Sequence, residues 1–184
     1  MSKNVIITGT SRGIGLELIK LFSNSGFNVL SLSRNKNIAE KLNLNNTSCL
    51  SFDITKEEDH LLVNKFISNN WNSVDILINN AGLLINKNFQ DTTLKDFNDV
   101  YNTNVFGVAR LIQICLPFMK ENSQVINISS IGGVQGSVKF PGLSAYSSSK
   151  GALISLTEML AEEYKELKIN FNVFALGAVQ TEML

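Results

Sequence analysis

Tyr146 and Lys150 stand four residues apart in Leu143-Ser-Ala-Tyr-Ser-Ser-Ser-Lys-Gly-Ala, so a helix through this segment stacks a phenol beside an ammonium. A unit positive charge about 4 Å away, at an effective dielectric near 20, stabilises a phenolate by roughly 4 kcal/mol, or about three pKa units. The phenol, which ordinarily titrates at about 10, would then exchange its proton near neutrality, where acid–base catalysis is most efficient. The same spacing also describes a solvated surface pair, so the chemistry needs partners elsewhere in the chain. One candidate lies near the start: Thr8-Gly9-Thr10-Ser11-Arg12-Gly13-Ile14-Gly15, between a short apolar run and a helical pattern. Glycines there let the backbone turn sharply, admit a pyrophosphate closely and seat the helix on the strand, while the helix N-terminus faces the anion. The spacing is G-xxx-G-x-G rather than the commoner G-x-G-x-x-G, so by itself it reads as a phosphate turn or as a turn with no ligand.

Hydrophobic patterning supplies the scaffold for these groups. Six short apolar runs read as strands: Val5–Thr8, Val29–Leu32, Cys49–Phe52, Val74–Ile78, Val125–Ile128 and Phe171–Ala175. Between them, Ile14–Phe22, Lys56–Ile67, Leu94–Met119 and Ala145–Leu167 carry apolar residues at three- and four-residue steps, as helices packed on a sheet do. The alternation predicts an α/β fold, a Rossmann-type doubly wound parallel sheet of order 3-2-1-4-5-6. The loops Gly82–Thr93 and Ile131–Ser144 then fall at the ligand-binding edge.

Composition bounds the partners. With 184 residues, 44% hydrophobic and 17% charged, residues 1–184 read as a single globular domain with a real core. Sixteen Lys plus Arg balance sixteen Asp plus Glu, which suggests neither a nucleic-acid footprint nor a polybasic membrane anchor and leaves a small molecule as the expected partner. Cys49 and Cys115 sit in apolar runs without a CxxC neighbour, so two buried free thiols, no metal site and a reducing cytoplasm are expected. No stretch resembles a signal segment or a membrane span. His60 reads as a surface residue near a helix start.

Several separated motifs then occur in order. They are the glycine turn, Asp53-Ile54, Asn79-Asn80-Ala81-Gly82, Asn104-Val105-Phe106-Gly107, Asn127-Ile128-Ser129-Ser130 and Tyr146-Ser-Ser-Ser-Lys150. On these the chain resembles the classical short-chain dehydrogenases/reductases over essentially its whole length. The resemblance implies that Tyr146 is the general acid that protonates a carbonyl as hydride arrives from a nicotinamide, or the base in reverse. It implies that Lys150 bonds the nicotinamide ribose and lowers the Tyr146 pKa. Ser130 would bond the substrate oxygen, and Asn104 would hold a water linking Lys150 to solvent. For cofactor binding it implies the turn residues Gly9, Ser11, Arg12, Gly13, Ile14 and Gly15. Asp53 and Ile54 would flank the adenine, and Asn80, Ala81 and Gly82 the adenosine ribose. Gly177, Val179 and Thr181 would lie near the carboxamide. Without the resemblance Asp53 has an equally simple reading as a helix cap.

Charge argues the cofactor. An acid ending the second strand would bind a ribose 2′-hydroxyl, whereas a 2′-phosphate needs a cation there. This chain has Ser33 followed by Arg34, with Arg12 as a second cation, so NADP(H) is favoured over NAD(H). The expected activity is an NADP(H)-dependent reduction of a carbonyl or oxidation of an alcohol. A non-catalytic dinucleotide sensor is the alternative, disfavoured by the complete Asn104, Ser130, Tyr146, Lys150 set. An extended-branch epimerase is disfavoured by the glycine spacing. Apolar stripes on the two long helices are core first and the expected homodimer or homotetramer surface second.

Three departures from the family pattern stand out. Ser130 lies sixteen residues before Tyr146, which predicts that Gly133–Pro141 bulges as a lip on the pocket. Leu176-Gly177 replaces a usual Pro-Gly, losing proline's fixed φ. The sequence ends at Leu184, ahead of the family's usual seventh strand and substrate lid, so those elements are expected to be missing from it.

Overall fold

The structure is a computed structural model and describes residues 2–179. Strand β1 (Asn4–Thr8) leads through the glycine turn into α1 (Gly13–Asn24), then β2 (Asn28–Ser33), the short α2 (Asn37–Glu40), β3 (Thr47–Ser51) and α3 (Glu57–Asn70). Next come β4 (Ile76–Asn79), α4 (Leu94–Tyr101), α5 (Gly107–Cys115), β5 (Gln124–Ser130), α6 (Ser144–Glu163) and β6 (Asn170–Leu176). The strands form one six-stranded sheet in the order β3-β2-β1-β4-β5-β6, every neighbouring pair parallel. The expected topology therefore holds, and the strand order reverses between β1 and β4.

All five residues of β1 are buried, as a strand covered on both faces requires. Its side chains alternate between two cores. Ile6 packs with Leu30, Leu77, Leu111 and Leu153 on the face covered by α3, α5 and α6. Val5 and Ile7 pack with Ile19 and Val29 on the face covered by α1. Each such fully buried aliphatic side chain contributes about 1.5–3 kcal/mol, so the central strands are fixed firmly and their C-terminal ends form a rigid platform.

The structure corrects three expectations. The stretch Leu94–Met119 is not one regular helix: α4, started by a capping box between Thr93 and Asp96, passes through a π-helical turn at Asn102–Phe106 before α5 resumes, and a 3-10 turn closes it at Leu116–Phe118. A π turn carries one extra residue. Here it turns Asn104 fully inward while Gly107 seats on the Ile54 carbonyl, where a Cβ would come within 2.3 Å of the oxygen. Cys115 is buried, but Cys49 is only half-buried because β3 is the edge strand. His60 is not at the surface: it is 2% exposed, on the sheet-facing side of α3 with Val63 and Ile67.

Among the described residues no helix is long and apolar enough to cross a membrane.

Candidate active site

The floor of the site is made where side chains are missing. Gly9 ends β1 with φ +72°, a conformation that strains any other residue, and a Cβ there would lie 2.8 Å from Ala81 Cα. A Cβ on Gly15 would lie 2.3 Å from the Gly9 carbonyl oxygen. The turn is bolted to β4 across the point of strand reversal. Thr8 Oγ1 accepts from the backbone N–H of Asn80 and of Ala81, both at 3.0 Å, and Asn80 Nδ2 donates to the carbonyls of Thr8 (3.1 Å) and Gly9 (3.2 Å). Buried Thr10 and Ser31 hydroxyls add a 2.7 Å bond. Gly13 and Ile14, at the start of α1, line an open cavity, where an anion-binding turn would place them.

On the far side of the same cavity, α6 presents Tyr146 and Lys150 one turn apart, and the end of β5 presents Ser130. The Lys150 ammonium is almost wholly buried, donates to the Ile128 carbonyl at 2.8 Å, and lies 5.8 Å from the Tyr146 ring centre. Burial pulls its pKa down to about 8. Burial also pushes the Tyr146 phenol above its ordinary value, against a smaller opposing effect of hydrogen bonding to Ser130. The direction is opposite to the lowering expected from a cation about 4 Å away: the ammonium lies 5.8 Å from the ring centre and is turned to the Ile128 carbonyl, so desolvation dominates. The phenol keeps its proton at neutral pH, which is the state an acid must hold before donating it.

At the other end of the cavity, β2 delivers Ser33 and Arg34. The buried Ser33 hydroxyl donates to the Asn35 carbonyl at 3.0 Å, which shapes the turn and leaves no acid in the position. Arg34 and Arg12 both line the cavity, Arg34 from an exposed position. Asp53 is not a helix cap: its Oδ1 accepts from Thr55 N (3.0 Å) and Thr55 Oγ1 (2.8 Å) in a local turn. Partial burial would raise the Asp53 carboxyl, but the two Thr55 bonds and the Arg34 charge outweigh it and hold the pKa below its ordinary value. The first turn of α3 clamps this segment. Asp59 Oδ2 accepts from Asp53 N at 2.7 Å, and His60 Nε2 lies 2.8 Å from the Ile54 carbonyl, with its ring edge-on to Phe52.

Asn104 does not line the cavity. Its amide pairs with Leu83, Oδ1 accepting from the N–H at 2.8 Å and Nδ2 donating to the carbonyl at 2.9 Å, with a further bond from Nδ2 to Ser149 Oγ at 3.0 Å. Gly82 lies between the two polar groups of the expected relay. A methyl in place of its hydrogen would sit 3.5 Å from Lys150 Nζ and 3.6 Å from Asn104 Oδ1.

A cavity of about 710 Å³ thus brings together nearly every residue expected from sequence. Gly9, Ser11, Arg12, Gly13 and Ile14 line it, as do Asn80, Ala81 and Gly82, and Asp53 with Ile54. Ser130, Tyr146, Lys150, Gly177 and Val179 complete that set. Gly15 and Asn104 stand behind the wall, and Thr181 lies outside the described residues. Sequence reasoning missed the apolar members Leu83, Leu84, Ile131, Phe140 and Leu143, whose only signal was their position in the two loops beyond β4 and β5. A larger polar cavity, about 830 Å³, opens at the opposite edge of the sheet around Asn4, Trp71 and Asp75, remote from these groups.

A parallel sheet of this order, with a glycine turn at its reversal point and a Ser–Tyr–Lys set beyond it, defines the oxidoreductases built on a Rossmann-type sheet. The chain belongs to the short-chain dehydrogenase family, whose model matches residues 3–184. It is 32% identical over 178 residues to the probable short-chain type dehydrogenase/reductase VdlC of Helicobacter pylori, covering 96% of this chain and 65% of that protein. Among solved structures it is similar to the Pseudomonas aeruginosa RhlG/NADP active-site complex, at TM-score 0.89 and 27% identity over 98% of this chain and 74% of that one. It is likewise similar to a 3-ketoacyl-(acyl-carrier-protein) reductase of Brucella melitensis complexed with NADH, at TM-score 0.89 and 29% identity over 98% and 78% of the two chains. The chain thus spans about two thirds to three quarters of the length of these relatives.

Proposed function

We propose that this chain serves an NADP(H)-dependent reduction of a carbonyl, or the reverse oxidation of an alcohol, with Tyr146 as the acid or base. The observation that carries this reading is the sharing of one cavity by the Cβ-free glycine turn and by Ser130, Tyr146 and Lys150. The residues fit a dinucleotide. The turn would hold the pyrophosphate, Asp53 and Ile54 the adenine side, and Asn80 to Gly82 the ribose. Arg34 and Arg12 offer two guanidinium groups to a 2′-phosphate, and no carboxylate stands at Ser33 to repel it. When bound, the nicotinamide supplies or accepts the hydride.

The protein's own contribution is proton handling. Tyr146 donates its phenolic proton to the carbonyl oxygen, and Ser130 donates a hydrogen bond that stabilises charge developing there. Lys150, protonated below about pH 8, offers its ammonium to the cofactor ribose. Gly82 keeps the region between Lys150 Nζ and Asn104 Oδ1 free of a side chain, and a water bridging them there would relay protons to solvent. Exposed Leu94, Phe106 and Met159 on α4, the π turn and α6 are consistent with a homodimer or homotetramer, and the free thiols Cys49 and Cys115 with a reducing cytoplasm.

The test is Tyr146→Phe in the full-length protein. Turnover should fall by about a hundred- to ten-thousandfold, while NADPH binding stays within about twofold. A variant that keeps more than a tenth of normal turnover would falsify the mechanism. Tight NADPH binding by the unmutated protein, without turnover of any carbonyl, would point to a sensor instead.

A further inference from the structure

We infer that the substrate presents its carbonyl on an uncharged, apolar group, such as an aliphatic or aryl ketone, and is neither a keto acid nor a polyol; this rests on the carbonyl chemistry proposed above. The argument begins with what surrounds Ser130 and Tyr146. Ile131 comes directly after Ser130, Leu143 precedes Tyr146 by three residues, Leu84 comes from the loop beyond β4, and Phe140 rises from the lip between β5 and α6; all line the cavity. Ile131 and Phe140 therefore put large apolar side chains on the wall of the cavity that holds the proton donor. Apolar surface of this kind gains by being covered, and an apolar substituent on the substrate covers it.

Among the described residues, the polar groups that line this end beside Ser130 and Tyr146 are already committed. Thr103 Oγ1 donates to the Asp99 carbonyl at 3.0 Å, and Ser129 Oγ to the Lys150 carbonyl at 2.9 Å. Lys139 is the one charged residue of the Ile131–Ser144 loop. It is the obvious candidate to bind an anionic substrate, yet its ammonium turns back into its own loop. It donates to the carbonyls of Gly132 (2.8 Å) and Val134 (2.5 Å) and to Ser137 Oγ (2.9 Å), which uses all three of its donors. In the loop beyond β4, Lys87 is paired with Asp96, through contacts of 2.8 and 2.9 Å. Neither lysine, nor Asp91 of the neighbouring loop, lines the cavity. A carboxylate or a row of hydroxyls placed against Leu84, Ile131, Phe140 and Leu143 would lose its water and find no partner, which is the unfavourable case for burial.

The experiment is a steady-state NADPH-oxidation series with the full-length protein. Butan-2-one, hexan-2-one, octan-2-one and acetophenone are compared with pyruvate, acetoacetate and dihydroxyacetone. We expect kcat/KM to rise about fourfold per added CH₂ along the aliphatic series, and to exceed that of every charged or hydroxylated carbonyl by more than about tenfold. Phe140→Ser, at an exposed position that should not disturb folding, should lower kcat/KM for octan-2-one by about tenfold, several-fold more than for butan-2-one. A flat series, equal loss on both ketones in Phe140→Ser, or faster turnover of pyruvate or dihydroxyacetone would overturn the inference and leave the carbonyl chemistry standing. No turnover of any compound by the unmutated protein, with NADPH still bound, would remove the reading beneath it as well.

Discussion

The two ends of the cavity are specified by opposite means. At the end that holds the glycine turn, shape comes from missing side chains: Gly9 and Gly15 in the turn, and Gly107 beneath Ile54, each allow backbone to approach where a Cβ would fall between 2.3 and 2.8 Å from another backbone atom. The buried hydroxyls of Thr8 and Thr10 and the half-buried amide of Asn80 then lock that approach. At the reacting end, shape comes from side chains present but uncovered, Ile131 and Phe140 above all, around two titratable groups whose pKa values move because they have lost water. The first end tolerates almost no change and can accept one kind of ligand. The second is held from behind, by Asn104 and Lys139, and its face is free to vary.

If that contrast is right, the largest effect will come from the smallest addition. Gly15→Ala places a methyl against the Gly9 carbonyl and the Asn80 amide, both rigid. It should lower NADPH affinity at least about a hundredfold or prevent folding, read by calorimetric titration and circular dichroism. Near-normal affinity would mean that the turn can breathe.

Lys150→Met asks whether the reacting end is maintained against stability. The fall from an ordinary 10.5 to about 8 corresponds to about 3 kcal/mol of unfavourable burial of the cation. The folded pKa lies below the unfolded one, so the unfolded chain binds more protons between about pH 8 and 10.5 and stability rises with pH across that window. The variant should therefore be more stable than the parent near pH 7, by up to about 3 kcal/mol less about 1 kcal/mol for the lost bond to Ile128. The gap should close as pH approaches 10, while activity is lost throughout. Urea melts of the cofactor-free proteins at the two pH values decide it, and a gap that widens with pH would contradict the assignment.

Arg34→Ala probes the exposed rim of the first end. NADPH should bind at least about tenfold tighter than NADH to the parent, and the variant should lose most of that preference through weaker NADPH binding; equal dissociation constants in the parent would place the specificity elsewhere. The mildest substitution is Gly82→Ala. Its methyl meets Lys150 Nζ and Asn104 Oδ1 at ordinary contact distances, so the melting temperature should hardly change. If a relay water occupies that space, kcat should fall several-fold with little change in KM.

Much of this is legible in the sequence because it rests on residue types that periodicity and turn chemistry report. The six strands and their order come from apolar runs, and β4 begins two residues later than expected, at Ile76. The glycine turn, Ser130, Tyr146 and Lys150 fall where their motifs place them. What escapes depends on counting and on direction. One extra residue in the π turn is invisible to a pattern with a tolerance of one position, so Leu94–Met119 reads as continuous. The acidic neighbours Glu57, Glu58 and Asp59 suggest a surface position for His60, although the spacing His60, Val63, Ile67 marks it as part of the buried face. The tyrosine pKa depends on where the Lys150 ammonium points, and sequence does not carry that.

The π turn at Asn102–Phe106 makes residue count, rather than residue identity, the protected quantity in this part of the chain. Each α-helical residue rotates the remainder of the helix by about 100°. A lost codon here would give a more regular helix, and one that cannot both aim Asn104 at Leu83 and rest Gly107 on the Ile54 carbonyl. Sequence drift at Thr103 or Val105 is then expected to be easy, and a change in length between Val100 and Val108 to be nearly forbidden.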